Sequence, residues 1–586
     1  MKNLISKAFI LLTVAGMLSC SSKKQGVDNN VDKAFSNFER VFLDAYWKQY
    51  PSSAINAGYG KYYENLVIPD STSFAGNNSF SKQWLDSLNK ISINKLDINN
   101  QISFKIINNQ LKSDSWYTSV FKQQEWDASI YNIASDCDNI LNQPYAPLDK
   151  KLIILTKHIE HADDFYRAAF KMLHKPTKEH IALAIQQNLG GLSVFGKGLN
   201  DSINASKLTE AEKKQLHLNI DKTLKAINGY VDALKALTTR NGVEFRDFRI
   251  GKKLFAQKFA YDLVTDFTPE QLYEKAIADK KLYTEKMYRI AGSVWNKYYK
   301  GQPQPKDTIQ LIQKVLDKIQ LQHQQPKDYF SYLTNQVHLL KKFIVEKNLF
   351  DFDTVTPPIK VRLMPEYERG ITLASADFTP PYLKQGSTYF NIDDLTAYEP
   401  KKAESALREY NDYSSQILAI HEAVPGHCVQ GIYNNKKSPD VVRSVFQNGA
   451  MIEGWAVYCE EMMVENGWGN HSPEIEMILS KWRLRELANV IIDYDLQCLN
   501  KSKEEITHIL IHECFQTEAQ AAEKYNRATV SQVQLCSYYA GSTAIKSLRE
   551  EYKKKMGKNY SLKDFHEKFL SYGSSPVNYI RECMLK

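Results

Sequence analysis

The segment Ala419-Ile420-His421-Glu422-Ala423-Val424-Pro425-Gly426-His427 decides how this chain is read. A His-Glu pair followed closely by a second His is how zinc hydrolases offer two ligands and a general base to one metal. In the usual form the two histidines are four residues apart and share a helix face. Here they are six apart, and at about 100° per residue a regular helix would turn His427 about 240° away from His421. Pro425 occupies the position whose N–H would bond the His421 carbonyl, so the helical ladder must break there. Gly426 then permits backbone conformations closed to other residues. The expectation is a bulge that loops out two residues and returns His427 to the face of His421. The alternative is a helix end that buries a histidine pair.

Two histidines do not close a catalytic zinc site, which takes three protein ligands and keeps a position for water. Glu453 lies far enough beyond His427 for a second helix to run past the first, and Gly449 and Gly454 beside it would admit a close approach. Glu460 falls seven residues later on the same helical face, placed to orient a ligating histidine. Glu461 is poorer by angle. Glu422 follows a ligand directly and so points beside the metal, where it can serve as general base.

The stretch from His421 to Gln430 resembles the signature of the bacterial family known as domain of unknown function 885, whose members look like gluzincin-type zinc peptidases. Glu453-Gly454-Trp455-Ala456-Val457-Tyr458-Cys459-Glu460 is similar to a second segment of that family, and Gln534-Leu535-Cys536-Ser537-Tyr538-Tyr539-Ala540-Gly541 to a third. The family usually carries Pro-Gly before that glutamine, where this chain has Gln532-Val533. Asp564-Phe565-His566 with Gly573 and Pro576 resembles the closing segment. The resemblance runs from about residue 35 to the C-terminus. It implies Glu453 as third zinc ligand, against the alternative of a solvated helix carboxylate. It further implies Tyr538, or else His566, as the donor opposite the metal that stabilises an oxyanion, with Arg527 and Tyr525 binding a substrate carboxylate or backbone.

The N-terminus reads as an export signal. Lys2 and Lys7 precede an apolar run from Ala8 to Met17, and Leu18-Ser19-Cys20 ends it in the manner of a bacterial lipoprotein signal, so that Cys20 would carry the lipid. A plain secretory signal that happens to contain Cys is the alternative. The net charge of +8 loses two lysines and no acid with residues 1–19, leaving +6. Basic residues alternate with acidic ones, as on solvated helix faces, and no nucleic-acid motif is present. Seven cysteines follow Cys20 with no Cys-x-x-Cys pair, which argues against a cysteine-rich zinc site. Cys428 and Cys459 read as small buried apolar residues.

Residues 20–34 suit a tether, and 35–586 read as one large, mainly α-helical unit: an N-terminal half over about 35–250 closing on a metal-binding half over about 251–586. Apolar residues at three- and four-step spacing predict helices over Lys151–Leu173, Thr209–Leu237, Pro269–Tyr299 and Ile309–Ile319. Thr268-Pro269-Glu270-Gln271 is a helix start. Loops are expected over Asp70–Asn78, Gly301–Lys306 and Thr379–Gly386. Ser387-Thr388-Tyr389-Phe390-Asn391-Ile392 predicts a short strand beside the metal. There Tyr389 and Asn391 would meet an extended substrate backbone, or the strand is an ordinary structural hairpin. His508 and His512, four apart, have Ile509-Leu510-Ile511 between them and no third ligand nearby in sequence. His158 and His161 are expected on an exposed face.

The fold expectation is a helical zinc-peptidase-like architecture with a small β element at the active site. The functional expectation is a Zn²⁺-dependent peptidase acting on peptides at the bacterial cell envelope, lipid-anchored and facing the periplasm or exterior. A zinc hydrolase of other amides or esters is one alternative. A non-catalytic helical lipoprotein that binds peptides or glycans in an aromatic groove is another.

Overall fold

The computed structural model describes residues 29–351, 359–364, 373–383, 386–438 and 440–586. Cys20 and the leader lie outside them. The first helix, Asn29–Gln49, begins inside the stretch expected as a tether. Its aromatic stripe explains why: Phe35, Phe38, Phe42 and Tyr46 recur at three- and four-residue steps and face inward. Phe42 meets Trp84 edge-on at 5.3 Å, and a core forms with the helices Ser71–Leu88 and Ile98–Trp116.

The chain is mainly α-helical. The starts expected at Thr209 and Thr268 are both capping boxes, with Glu212 and Gln271 reaching back to the capping backbone, which satisfies amide donors that a helix end would otherwise orphan. The 209–237 and 269–299 patterns form the helices Glu210–Thr239 and Pro269–Tyr298. Three expectations need correcting. Asp70–Asn78 is not a loop: Asp70 caps Ser73 N–H and starts the helix Ser71–Leu88, because packing of Phe80 and Trp84 outweighs the weak propensity of its Gly and Asn residues. The 151–173 pattern divides into Leu148–His158 and Ala162–Met172. His158 at the break is fully buried, not on an exposed face, with Nδ1 2.9 Å from the Tyr63 carbonyl, while His161 is exposed.

Among the described residues three hydrophobic cores result. One is the aromatic core of the first helices. A second gathers Ile55 and Tyr63 with the helices between residues 128 and 237. The third and largest joins the C-terminal helices from Phe248 onward to Trp116, Phe121 and Trp126. The first core is fastened to the C-terminal half by Arg443, fully buried, whose Nη2 donates to the Asn99 carbonyl at 2.6 Å.

The small sheet holds β1 (Lys360–Leu363), β2 (Ala374–Asp377) and β3 (Tyr389–Ile392) in the order β1–β3–β2. β3 is parallel to β1, with Lys360 opposite Tyr389, and antiparallel to β2, with Asp377 opposite Tyr389. β2 packs on the two helices that carry the histidines, Asp412–Glu422 and His427–Lys437.

A close helix approach lies beside Glu453. A Cβ on Gly541 would stand 1.7 Å from the Ala450 carbonyl oxygen, and one on Gly454 2.3 Å from the Gly541 backbone. Gly449, in contrast, faces open space, so the close approach rests on Gly454 and Gly541. Gly541→Ala should therefore lower stability by about 1–3 kcal/mol or more through overpacking and shift the Glu453 helix. Gly449→Ala should leave the thermal midpoint unchanged or slightly raised. Calorimetric melting of both variants checks the contrast.

Candidate metal centre

The helix carrying His421 ends at Glu422, and a new helix begins at His427. The expected bulge is thus a complete break between two helices. Val424–Pro425 is a cis peptide. Gly426 N–H donates to the Ile420 carbonyl at 2.9 Å, and a Cβ at Gly426 would lie 1.8 Å from the His421 carbonyl oxygen. Only glycine fits such an approach. The turn is held from the neighbouring helix, Gly449–Glu465, where Trp455 Nε1 donates to the Pro425 carbonyl at 3.0 Å and Cys459 Sγ lies 3.7 Å from the same oxygen.

This brings His421 and His427 together with ring centroids 4.8 Å apart and planes near perpendicular. Glu453 Oε2 lies 3.9 Å from His421 Nε2 and 3.6 Å from His427 Nε2. The ligand atoms of the three residues all lie within 4.8 Å of one another. Tetrahedral zinc bonds of about 2.0–2.1 Å separate ligand atoms by about 3.3 Å, so small side-chain adjustments would close this set around one ion. The donor chemistry fits as well. Burial and the neighbouring His427 depress His421 to about 4, keeping its imidazole neutral. Burial opposes ionisation of Glu453, but the His427 hydrogen bond and charge, then His421 and Arg527, outweigh it and hold the carboxyl below its ordinary value.

Glu460 does what its spacing predicts. Its Oε1 lies 2.6 Å from His421 Nδ1, and Arg483, on the helix Pro473–Cys498, grips its other oxygen. Arg483 also pairs with Glu486 at 2.8 Å. Glu422 is only partly buried and, among the described residues, makes no hydrogen bond or ion pair. Burial raises its carboxyl above the ordinary value, against the pull of His427 and His421.

Tyr538 starts the helix Ser537–Met556 and receives a hydrogen bond from Arg527 Nη2 at 3.2 Å. Burial and the charge of Glu453 raise its hydroxyl's pKa, so the proton stays on. The preceding turn keeps a glycine-like shape without glycine. Val533 takes φ +72°, its 2.8 Å bond to Cys536 N–H closing the turn. Strain of this kind in a β-branched residue persists only where its surroundings enforce it.

Sequence and structure meet a second time in the family comparison. The chain matches the model of the family described as "Bacterial protein of unknown function (DUF885)" over residues 51–584. The chain belongs to this family. It is similar to a solved structure described as a "putative lipoprotein of unknown function" from Shewanella oneidensis, 40% identical, with a TM-score of 0.84 over 94% of this chain and 100% of that one. A "putative lipoprotein" from Colwellia psychrerythraea, 16% identical, shares the fold with a TM-score of 0.77 over 94% and 98% of the two chains. No curated protein matches.

Other candidate residues in this DUF885 chain lie elsewhere. His566 is fully buried, with Nε2 2.8 Å from Tyr458 Oη and Nδ1 3.0 Å from the Leu349 carbonyl, and it stacks on Phe350 at 4.6 Å. With both nitrogens engaged in the core, it is not an oxyanion donor. Tyr525 faces Lys503 at 5.3 Å, because two helical steps turn it about 200° from Arg527. Asn391 is buried and spends its amide on Arg362, Ser375 and Asp377, while β3, paired on both sides, has no edge for a substrate. Tyr389 stacks under Arg362 at 3.9 Å and lines a cleft of about 730 Å³ that also borders Asp138 and Asn142. His508 and His512 are exposed and outside the ligand cluster. Cys428 and Cys459 are fully buried free thiols.

Arg483, Trp482 and Arg485 escaped the sequence reading. The signal was present: the helix 473–498 is apolar on every side, with Ile478, Leu484, Leu487 and Ile491 all buried, so charges embedded in it must also face protein.

The buried His566 generates an acid-sensitivity test. Burial lowers it to about 3, below the ordinary histidine value of about 6.5. A depressed folded-state pKa adds stability above the unfolded value that is lost as pH falls toward the folded one. Between about pH 6.5 and 4.5 the wild type should therefore lose about 2 kcal/mol relative to His566→Gln, whatever their difference at neutral pH. Urea unfolding across that range measures it.

Proposed function

We propose that this protein is a zinc-dependent peptidase of the bacterial cell envelope. The observation that carries the reading is the convergence of His421, His427 and Glu453 beside Glu422, a carboxylate with no hydrogen bond or ion pair among the described residues. His421, His427 and Glu453 would hold the ion, with Glu460 fixing the ring of His421. A bound zinc would supply Lewis acidity to the carbonyl under attack and lower the pKa of water to about 7. Glu422 accepts a proton from the attacking water as its oxygen bonds the peptide carbon. When the C–N bond breaks, Glu422 returns that proton to the leaving amine. Tyr538 donates its O–H to the carbonyl oxygen as negative charge gathers there, and Arg527 holds the phenol in place. An extended substrate must add to a sheet edge. β2 is the edge strand packed against the histidine helices.

The leader ending at Cys20 and the lipoprotein descriptions of both solved relatives support a lipid-anchored chain. Among the described residues no helix is long and apolar enough to cross a membrane.

Purified protein should hold one zinc per chain by atomic emission, and His427→Ala should lose it. Full zinc content in His427→Ala would mean that the six-residue spacing is not a ligand spacing. Glu422→Gln keeps shape and metal but cannot take a proton, so peptide turnover should collapse. Tyr538→Phe should keep zinc and lower kcat by about 10²–10³ with a smaller change in KM. A peptide-library digest read by mass spectrometry supplies the rates, and normal turnover by Glu422→Gln would remove the mechanism.

Zinc binding should also weaken as pH falls. The Glu453 charge draws His427 toward its protonated form against the opposing effect of burial, and metal must displace that proton. Calorimetric titration in two buffers of different ionisation enthalpy should report net proton release.

A further inference from the structure

The turn that delivers Tyr538 is strained, and its support comes from outside. Val533 is fully buried at φ +72° and ψ −33°, near the rare form of the γ-turn that is costly for any residue with a Cβ. Glycine escapes that cost, but this chain keeps a β-branched residue there. Three buried groups hold the turn and the helix end that leads into it. Two stand on the helix Pro473–Cys498: Gln497 Nε2 donates to the Ala528 carbonyl at 3.0 Å, and Asp493 accepts from Cys536 Sγ at 3.6 Å. The third, His180, belongs to the N-terminal half, and its Nε2 lies 3.2 Å from the Val530 carbonyl.

Val530 closes the helix Glu518–Val530, and the last carbonyls of a helix have no partner within it. A carbonyl can only accept, so the ring proton of His180 sits on Nε2, and Nδ1 accepts from the Thr177 hydroxyl at 2.6 Å. Thr177 also caps the helix Lys178–Gly191, accepting the His180 backbone N–H at 3.1 Å. Trp126 meets the ring edge-on at 5.0 Å. Burial lowers the imidazole below its ordinary value against the pull of Asp127, so the ring is a neutral donor. Ile181 and Ala184 of the same helix lie in the second core. A donor fixed this firmly in one half sets the position of a carbonyl in the other, three residues before Val533. On the helix that Val530 ends, Arg527 bonds both Gln534 and Tyr538.

We infer that His180 is a positioning residue for Tyr538: by holding the Val530 carbonyl it keeps the strained turn closed, so that the seating of the N-terminal half sets the place of the oxyanion donor. Its effect on turnover rests on the peptidase reading, while its effect on the turn does not. An ordinary packed histidine would stabilise the chain without favouring one segment of the opposite half. This contact ends on a turn that relaxes once support is withdrawn, because strain of this kind persists only where the surroundings enforce it. Small relaxation suffices, since a displacement of about 1 Å can cost about 10²-fold in rate.

The test compares the full chain carrying His180→Leu or His180→Phe, which keep bulk and lose the donor, with His180→Gln, which keeps an N–H. Hydrogen–deuterium exchange read by mass spectrometry should show the amides of residues 531–538 exchanging about 10-fold faster in the first two and near the wild-type rate in the third. Exchange around His421 and His427, and zinc content, should not change. A Val533→Gly background should shrink the exchange effect, because glycine holds the turn without support. With peptide substrate, the Leu and Phe variants should lower kcat by about 10- to 100-fold with little change in KM. In a Tyr538→Phe background the same substitutions should cost no more than about twofold, since the group they position is already gone. Unchanged exchange at 531–538 overturns the inference, and so does a kcat loss undiminished in the Tyr538→Phe background. Exchange that rises evenly along the chain, or loss of the fold in both variants, marks a general structural role and overturns it too. A local rise in exchange without cleavage of any peptide sinks the peptidase and leaves the hold on the turn. Peptide cleavage with kcat untouched by the lost donor sinks the positioning role and leaves the peptidase.

Discussion

The turn between His421 and His427 is the constraint on which the rest of the centre depends. Its closest contact is backbone against backbone, Gly426 against the His421 carbonyl, with no room for a single carbon more. That contact reverses the chain quickly enough to set two rings at right angles 4.8 Å apart. The turn in turn presents the Pro425 carbonyl, which accepts from Trp455 on the helix that carries Glu453. One indole N–H therefore couples the position of Glu453 to the turn that brings His421 and His427 together. Gly454, next to Trp455 and Glu453, lets this helix seat against the Ser537–Met556 helix, so Tyr538 enters the same arrangement.

Behind the ligands lies a buried charge network. Glu460 bridges His421 and Arg483, Arg483 reaches Glu486, and Glu461 on the following position pairs with Lys546 and accepts from Tyr283 at 2.5 Å. Ionic groups taken out of water gain little net stability, and replacing them with apolar residues is often neutral or favourable. Their use here is geometric: the Glu460 contact fixes the orientation of His421 and leaves Nε2 facing Glu453.

Much of this was legible before any coordinates. The Pro-Gly pair announced a break, the heptad step from Glu453 to Glu460 placed two carboxylates on one face, and Thr268-Pro269 marked the start of a long helix. What failed did so for identifiable reasons. Strand pairing partners are set by distant segments, so nothing in Ser387–Ile392 told that β3 would be central and Asn391 committed to its neighbours. His566 and His158 carry the same side chain as His421 and His427, and what separates them is the partners that the fold gives their ring nitrogens, backbone carbonyls and a tyrosine against carboxylates. Spacing is local information, whereas burial belongs to the whole fold.

The helix Pro473–Cys498 shows how one element can serve two electrostatic purposes. Arg483 and Glu486, three residues apart, turn toward the Glu460 network, where each charge meets its opposite. Trp482, Arg485 and Asn489, at steps of three and four, share another face. There Trp482 approaches His421, and Asn489 answers Lys524 with an uncharged oxygen. The first face is neutralised within the protein, as suits a scaffold that must not change with the occupant of the cleft. On the second, Arg485 acts on the buried acid Glu409, which also pairs with Lys481 at 2.7 Å. A buried polar group left without a partner is costly, and the Asn489 oxygen supplies one to Lys524. Both faces of the helix thus answer their charges from within the protein, one beside Glu460 and the other beside Glu409.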